Sequence, residues 1–499
     1  MRRLGAFPTG AERTELRVWA PNAQTIEASL GVGREELERD ADGTWSAEVS
    51  ARPGDDYAYV VDGRKLPDPC SRFQPVGVEG PSRVVDTHLD IAPGPSLRPE
   101  ELVLYELHVG VFTEEGTFAA AIPHLSALVE LGVTAIELMP VATFPGERNW
   151  GYDGIYAYAP HPVYGGPEGL ARLVDAAHRA GLGVILDIVY NHVGPGAPFA
   201  AFGPWFTSCY ETPWGDALDY AQEGVREWAI QNACLWVRDY AVDGLRLDAV
   251  FAAKDESPKH VLAELADRVH SERPDALVIG ETEVGDRRPI ERWGHDAQWS
   301  DAFHHELHVL LTGERDGYYA DYGSVTGLAR EYRRTPAEGL VYCSQNHDQV
   351  GNRALGDRPA RDELELRAAC LLFAPQVPLL FMGEEFGERQ PFQFFTDHTD
   401  PVVAEATREG RKREFARFAS FAGAEVPDPQ DPETFRRSKL SRDELPGLRD
   451  LYRDLIRLHK GLPQEVEAEG NDSTGVLRVT RGSAELKVDF RRRTWELST

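Results

Sequence analysis

The chain has 499 residues and a formal net charge of −29, with 82 acidic against 53 basic side chains. Nucleic acid and anionic membrane surfaces both demand a basic face, so this balance argues against either as a partner. The length exceeds one small domain and suits a barrel enzyme with appendages, and an acidic surface favours a neutral ligand such as a sugar.

The opening MRRLGAFPTG is positively charged but has no apolar run behind it, so no secretory leader is expected. No window approaches the roughly 18 to 20 apolar residues of a membrane span. The five cysteines (Cys70, Cys209, Cys234, Cys343 and Cys370) are widely spaced and form no CxxC pair, against a disulfide framework or a zinc site. A soluble, cytoplasmic protein is expected.

Residues 1–92 carry short alternating runs, ELRVWAP, TIEASL, TWSAEVS and DYAYVVDG, separated by turn residues, and predict an N-terminal antiparallel β-sandwich. LPDPCSRFQPVGVEGPS, at 66–82, reads as an ordered connector. From residue 102 the pattern becomes strand, loop and helix in repetition, the sign of parallel βα units. Strands are predicted at 102–109, 135–141, 183–191, 244–250, 277–282, 340–344 and 378–382, with an eighth near 297–300. Helical spacing fits 118–131, 169–180, 225–240, 259–271 and 364–373, and 448–459 serves as the last barrel helix. Residues 93–462 therefore predict an α/β fold, a (β/α)₈ TIM barrel with a loop excursion near 194–223 and a helical insertion near 400–445. Three strand-like runs within 463–499 predict a short C-terminal β region.

Asp248 in GLRLDAV, Glu281 in LVIGETE and Asp348 in QNHD each close a short apolar run. Barrel strands all end at one face, so residues distant in sequence meet around one pocket. A retaining glycosidase needs a nucleophilic carboxylate and a protonated acid about 5–5.5 Å apart, and adjacent strands, roughly 4.8 Å apart, can supply that spacing. Arg246 stands two residues before Asp248, on the same side of its strand, where a guanidinium keeps Asp248 ionised. Glu281 emerges from ALVIG, and desolvation there raises the pKa as a general acid requires.

The ordered set DIVYNH (187–192), DGLRLDAV (243–250), GETE (280–283) and QNHDQVGNR (345–353) resembles the four strand-end motifs of the α-amylase superfamily, glycoside hydrolase family 13. The resemblance implies Asp248 as nucleophile, Glu281 as acid/base and Asp348 as transition-state stabiliser. It places Arg246, His192 and His347 around the reacting sugar and makes Tyr152, in NWGYDGIYAYAP, the aromatic platform beneath it. Glu283 lies on the same strand side as Glu281, and motif alignment favours Glu281.

YELHVGVFTEEGTF, QWSDAFHHELHVLLTGERDGYYADY, FMGEEFGE, FFTDHTDP and VPDPQDPETFRRSKL, with the connector, resemble the malto-oligosyltrehalose trehalohydrolases within that superfamily. Those enzymes cut the α-1,4 bond beside the terminal trehalose of malto-oligosyltrehalose. The resemblance implies retention, no organic cofactor, a cytoplasmic setting and, as pathway partner, the synthase that makes the terminal trehalose. Competing readings are a 1,4-α-glucan (glycogen) branching enzyme and a non-catalytic carbohydrate-binding relative; the latter need not keep both Asp248 and Glu281.

Glu384 and Glu385, at the end of the last strand, are placed at the pocket rim by topology, to bind trehalose hydroxyls or to form salt bridges. Asp187 and Asn191 read as hydrogen-bonding scaffold rather than a calcium site, and no metal is expected. His304, His305 and His308 read as structural or substrate-lining, and Trp205 and Trp214 as sugar-stacking or loop-packing with equal weight.

Overall fold

The computed structural model describes residues 1–499 except 32, 87–88, 213–214, 338 and 416–425. Eight parallel strands close into a barrel in chain order: β1 Leu104–Leu107, β2 Ala135–Leu138, β3 Gly183–Ile188, β4 Gly244–Leu247, β5 Leu277–Gly280, β6 Ala297–Trp299, β7 Leu340–Cys343 and β8 Val377–Phe381. Leu104 of β1 pairs with both Ala135 of β2 and Leu379 of β8, which shuts the cylinder. Each strand overlaps its predicted run, and the predicted fold class holds.

Two-residue alternation decides what fills the barrel. One apolar cluster, containing Leu104, Ala135, Ile185, Leu277, Ile279, Ala297, Val341 and Leu379, packs its interior. Two residues further along their strands, toward the C-terminal mouth, stand Glu106, Glu137, Asp187 and Arg246, all buried. The residues that alternate with these, such as Ile136, Val184, Leu245 and Val278, join the larger core under the helices. The interior is thus apolar below and polar immediately beneath the mouth.

Helices Gly166–Ala180, Glu223–Asp239, Val261–Glu272, Leu364–Leu372 and Leu448–Gly461 match the predicted amphipathic stretches. The stretch 118–131 is instead two short helices, Phe118–Ala121 and Leu125–Leu131, joined by a 3₁₀ turn at Ile122–His124. Pro123 lacks the N–H that a continuous helix needs. The second piece stops at Gly132, whose φ of 102° and approach to Ile456 both favour glycine. Helix Ala302–Thr312 escaped the periodicity argument because nine of its eleven residues are buried, leaving no polar face to reveal it.

Residues 5–83 hold two antiparallel sheets, one of Gly5–Gly10, Arg13–Trp19, Thr44–Val49 and Glu38–Arg39, the other centred on Ile26–Leu30 and Asp56–Val61. The connector is ordered by Asp68, which accepts from the Tyr57 hydroxyl at 2.7 Å and the Cys70 N–H at 2.8 Å. Trp19 closes the seam with the barrel, lying so close to Gly224 that a Cβ there would sit 2.0 Å from its ring. The C-terminal residues form one four-stranded antiparallel sheet, Glu467–Asn471, Val476–Arg481, Ala484–Asp489 and Thr494–Ser498. Buried Arg481 anchors it by donating to the carbonyls of Pro463 and Ala374.

The excursion after β3 carries a hairpin, Phe206–Thr212 with Gly215–Leu218. Trp205 is buried against Phe199 and Trp228, at 4.7 and 5.8 Å between ring centres, so it packs the loop and is not available to a sugar. Trp214 lies outside the described residues. Helices Pro401–Phe415 and Pro432–Arg437 lie in the insertion after β8, and residues 416–425 between them lie outside the described residues.

Candidate active site

The site is organised by one side chain. Arg246, fully buried on β4, presents Nη1 to both oxygens of Asp187 and to Asp248 Oδ1, all at 2.9 Å, and Nη2 to Glu281 Oε2 at 2.8 Å. Its face rests on Trp299, 4.3 Å from the ring centre, where the π-cloud favours the cation. The alternation that fills the barrel puts these groups together: Asp187 and Arg246 are direct register partners of β3 and β4.

Asp248 and Glu281 stand just past the ends of β4 and β5 and are partly exposed, at 12% and 18%, while Asp187 is enclosed. Asn191 Nδ2 donates to Asp248 Oδ2 at 2.7 Å and to its carbonyl at 2.9 Å, and the Ala249 N–H donates to Glu281 Oε2 at 2.8 Å. Burial raises the Glu281 pKa above the ordinary carboxylate range; Arg246 pulls it back, and Asp248 adds to the rise. Two carboxylates on the terminal nitrogens of one guanidinium, one held by strong donors and one inclined to keep its proton, can divide the nucleophile and acid roles between them. Glu283 is exposed and stands apart from this contact set.

Asp348 lies across the mouth, 31% exposed, with Oδ2 3.3 Å from His347 Nε2 and Oδ1 accepting from Asn352 at 2.9 Å. The His347 ring stacks on Tyr152, at 5.1 Å between centres, and its Nε2 lies 2.8 Å from the Tyr152 hydroxyl. That hydroxyl donates to Asp187 at 2.7 Å. His192 bonds the Tyr152 carbonyl through Nε2 at 2.9 Å and sits against Asn191. Burial lowers its pKa to about 4, so it is a neutral imidazole at pH 7. The structure therefore gathers Asp248, Glu281, Asp348, Arg246, His347, His192 and Tyr152 into one connected network. Asp187 and Asn191 hold that network together by hydrogen bonds.

Glu384 and Glu385 are not brought to this pocket. Glu384 is 1% exposed and accepts from Ser344 at 2.6 Å and from Tyr452 at 2.9 Å, beneath helix Leu448–Gly461. Glu385, 2% exposed, accepts from Tyr105 at 3.1 Å and lies 3.7 Å from Arg449. A turn at Gly383 (φ 87°) leads into a 3₁₀ segment at Glu384–Phe386, which folds both carboxylates inward; strand topology alone does not register such a turn. His304 and His308 stack on each other and bond the Ser344 carbonyl and Glu314, a packing role.

Two residues of the network were missed by sequence reasoning, Glu106, which bonds His347, and Trp299 under Arg246, as was Glu137, the buried register partner of Glu106 on β2. The signal was present, since a glutamate in the middle of an apolar strand run (YEL, IEL) has no solvent to face.

The chain is similar to known proteins along most of its length. A family model described as the alpha amylase catalytic domain matches residues 81–202. A protein of Saccharolobus solfataricus named malto-oligosyltrehalose trehalohydrolase is 42% identical, covering 89% of this chain and 84% of its own. A 1,4-alpha-glucan branching enzyme of Salinibacter ruber is 29% identical over 78% of this chain and 73% of its own. Among solved structures, a putative alpha amylase from Salmonella typhimurium superposes with a TM-score of 0.88 at 37% identity, covering 98% of this chain and 93% of that one. On this likeness along nearly its whole length, the chain belongs to the malto-oligosyltrehalose trehalohydrolase family of α-amylase-type enzymes.

Proposed function

We propose that the protein is a retaining glycoside hydrolase that cleaves the α-1,4 bond beside the terminal trehalose of malto-oligosyltrehalose. In the first step Asp248 attacks the anomeric carbon while Glu281 gives its proton to the departing trehalose oxygen. In the second, Glu281 as carboxylate takes a proton from water, which displaces Asp248 and restores the α configuration. Arg246 and Asn191, each within 2.9 Å of an Asp248 oxygen, orient the nucleophile. Asp348 faces the ring hydroxyls, His192 and His347 flank them, and Tyr152 offers its ring as a platform. Burial of Glu281 supports the acid role, because the first step needs that proton at neutral pH.

The identity to relatives named for this activity, extending along nearly the whole chain, carries the choice of substrate. A branching enzyme would use the same first step and pass the glycosyl group to a sugar hydroxyl; the more distant likeness supports that less. The reading includes a cytoplasmic setting and a synthase acting upstream to build the trehalose end. The test compares kcat/KM for maltotriosyltrehalose with that for maltopentaose. A strong preference for the former is expected, since hydrogen-bond readout of hydroxyls can discriminate by orders of magnitude. Equal values would remove the trehalose-specific reading and leave only the amylase-like one.

A further inference from the structure

His347 is held from two directions. Its backbone N–H donates to Glu106 Oε2 at 2.8 Å, and its ring Nδ1 meets Glu106 Oε1 at 2.5 Å. Glu106 is 1% exposed, inside the barrel on β1. One carboxylate thus grips both the main chain and the ring of the residue directly before Asp348. Movement of that turn would break two buried hydrogen bonds at once, leaving each group unsatisfied.

The far side of the ring completes a proton inventory. Nε2 faces the Tyr152 oxygen at 2.8 Å and Asp348 Oδ2 at 3.3 Å. Tyr152 has one hydroxyl proton, and its geometry directs it to Asp187. Asp187, raised to about 7 by burial against the pull of Arg246, is ionised above that pH. The Tyr152 oxygen then accepts, so Nε2 carries a proton as Nδ1 does, and the ring is an imidazolium.

The surroundings agree. Burial and Arg246 oppose the charge, while Asp348 and Glu106 outweigh them and push His347 up to about 10. Asp187, once ionised, adds negative charge nearby; burial pushes Glu137 and Glu281 above the ordinary carboxylate range and lowers His108 to about 4. Trp150 and Trp299 lie against the ring and exclude water.

We propose that Glu106 is a positioning residue, acting through His347 to fix the turn that carries Asp348 and to keep a cation at the floor of the pocket. Its effect on turnover rests on the hydrolase reading above; its effect on His347 does not. The experiment uses the full chain labelled with ¹³Cε1-histidine, the His347 resonance being assigned by its loss in His347→Gln. In the parent that resonance stays charged from about pH 7 to 9, beyond an ordinary histidine near 6.5. In Glu106→Gln it loses its proton within or below that window, and kcat/KM on malto-oligosyltrehalose gains a falling alkaline limb at the same pH. Misplacement of Asp348 lowers kcat by about 10- to 100-fold. Glu106→Asp, which keeps the charge but is too short to span both donors, keeps the imidazolium and loses rate.

A parent His347 that titrates in the ordinary range overturns the proposal without any variant. A Glu106→Gln protein whose His347 titration and pH profile match the parent's overturns it equally. If the parent does not turn over malto-oligosyltrehalose while His347 stays charged until Glu106 is replaced, the substrate reading fails and the Glu106 assignment stands.

Discussion

Replacing Arg246 by methionine, similar in length and uncharged, tests how the site is held together. The guanidinium is fully enclosed and touches Asp187, Asp248 and Glu281 within 2.9 Å. Breaking a buried ion pair from one side costs about 3–5 kcal/mol, because the remaining charge is stranded. The three contacts share one group and are not additive, and Asp248 and Glu281 keep some solvent, so the expected loss at pH 7 is that of roughly one such pair. Burial already holds Asp187 and Glu281 above the ordinary carboxylate range against the pull of Arg246, and without the guanidinium their folded pKa values rise further. Stability from a group raised in this way is present below the unfolded value, near 4, and is lost as pH rises through the folded value. The deficit of Arg246→Met should therefore be largest at neutral pH and shrink on acidification. Thermal unfolding of parent and variant between about pH 8 and 5 reads this directly. Turnover should fall by on the order of 10³-fold or more, since Asp248 then loses the cation that orients it. Arg246→Lys, a point charge that cannot span all three partners, should recover only part. A stability difference that does not change with pH would refute the charge-neutralising role.

Asp248→Asn and Glu281→Gln should each lower kcat by about 10⁴-fold or more with folding intact by circular dichroism, whereas exposed Glu283→Gln stays near parent rates; inactivation by the Glu283 change alone would reverse the assignment. Glu384→Ala strands the Ser344 and Tyr452 hydroxyls and should cost about 2 kcal/mol or more in stability, leaving the preference for malto-oligosyltrehalose over an equally long malto-oligosaccharide unchanged. A drop in that preference would return Glu384 to the pocket. Glu137 is held well above the usual carboxylate range by burial, so the parent loses stability as pH rises toward its folded value. Glu137→Gln should be progressively favoured over the parent from about pH 5 to 9, and a constant difference would mean that the carboxyl is already ionised when folded.

The barrel was legible because buried parallel strands announce themselves as unbroken apolar runs, and the motif carboxylates because each closes such a run. Arg246 was legible from alternation alone, two residues before Asp248. What lay hidden depended on contacts made across the barrel. Glu106 and Glu137 sit inside strands whose apolar neighbours read as a continuous core, and only closure of the cylinder sets Glu106 against His347 from β7. Glu384 and Glu385 were misplaced because topology says where a strand ends but not which way the next turn bends; Gly383 turns them under the last helix. Helix Ala302–Thr312 was obscured by its burial on almost every side.

The most direct test of the central claim is proton NMR of the first minutes of maltotriosyltrehalose hydrolysis, before the freed sugar mutarotates. The account predicts trehalose and maltotriose in equal amounts, with the maltotriose anomeric signal appearing first as α, because two displacements at one carbon restore the starting configuration. Release of β-maltotriose would mean a single displacement by water, and Asp248 could not then be the nucleophile; release of glucose or maltose in place of trehalose would contradict the proposed substrate.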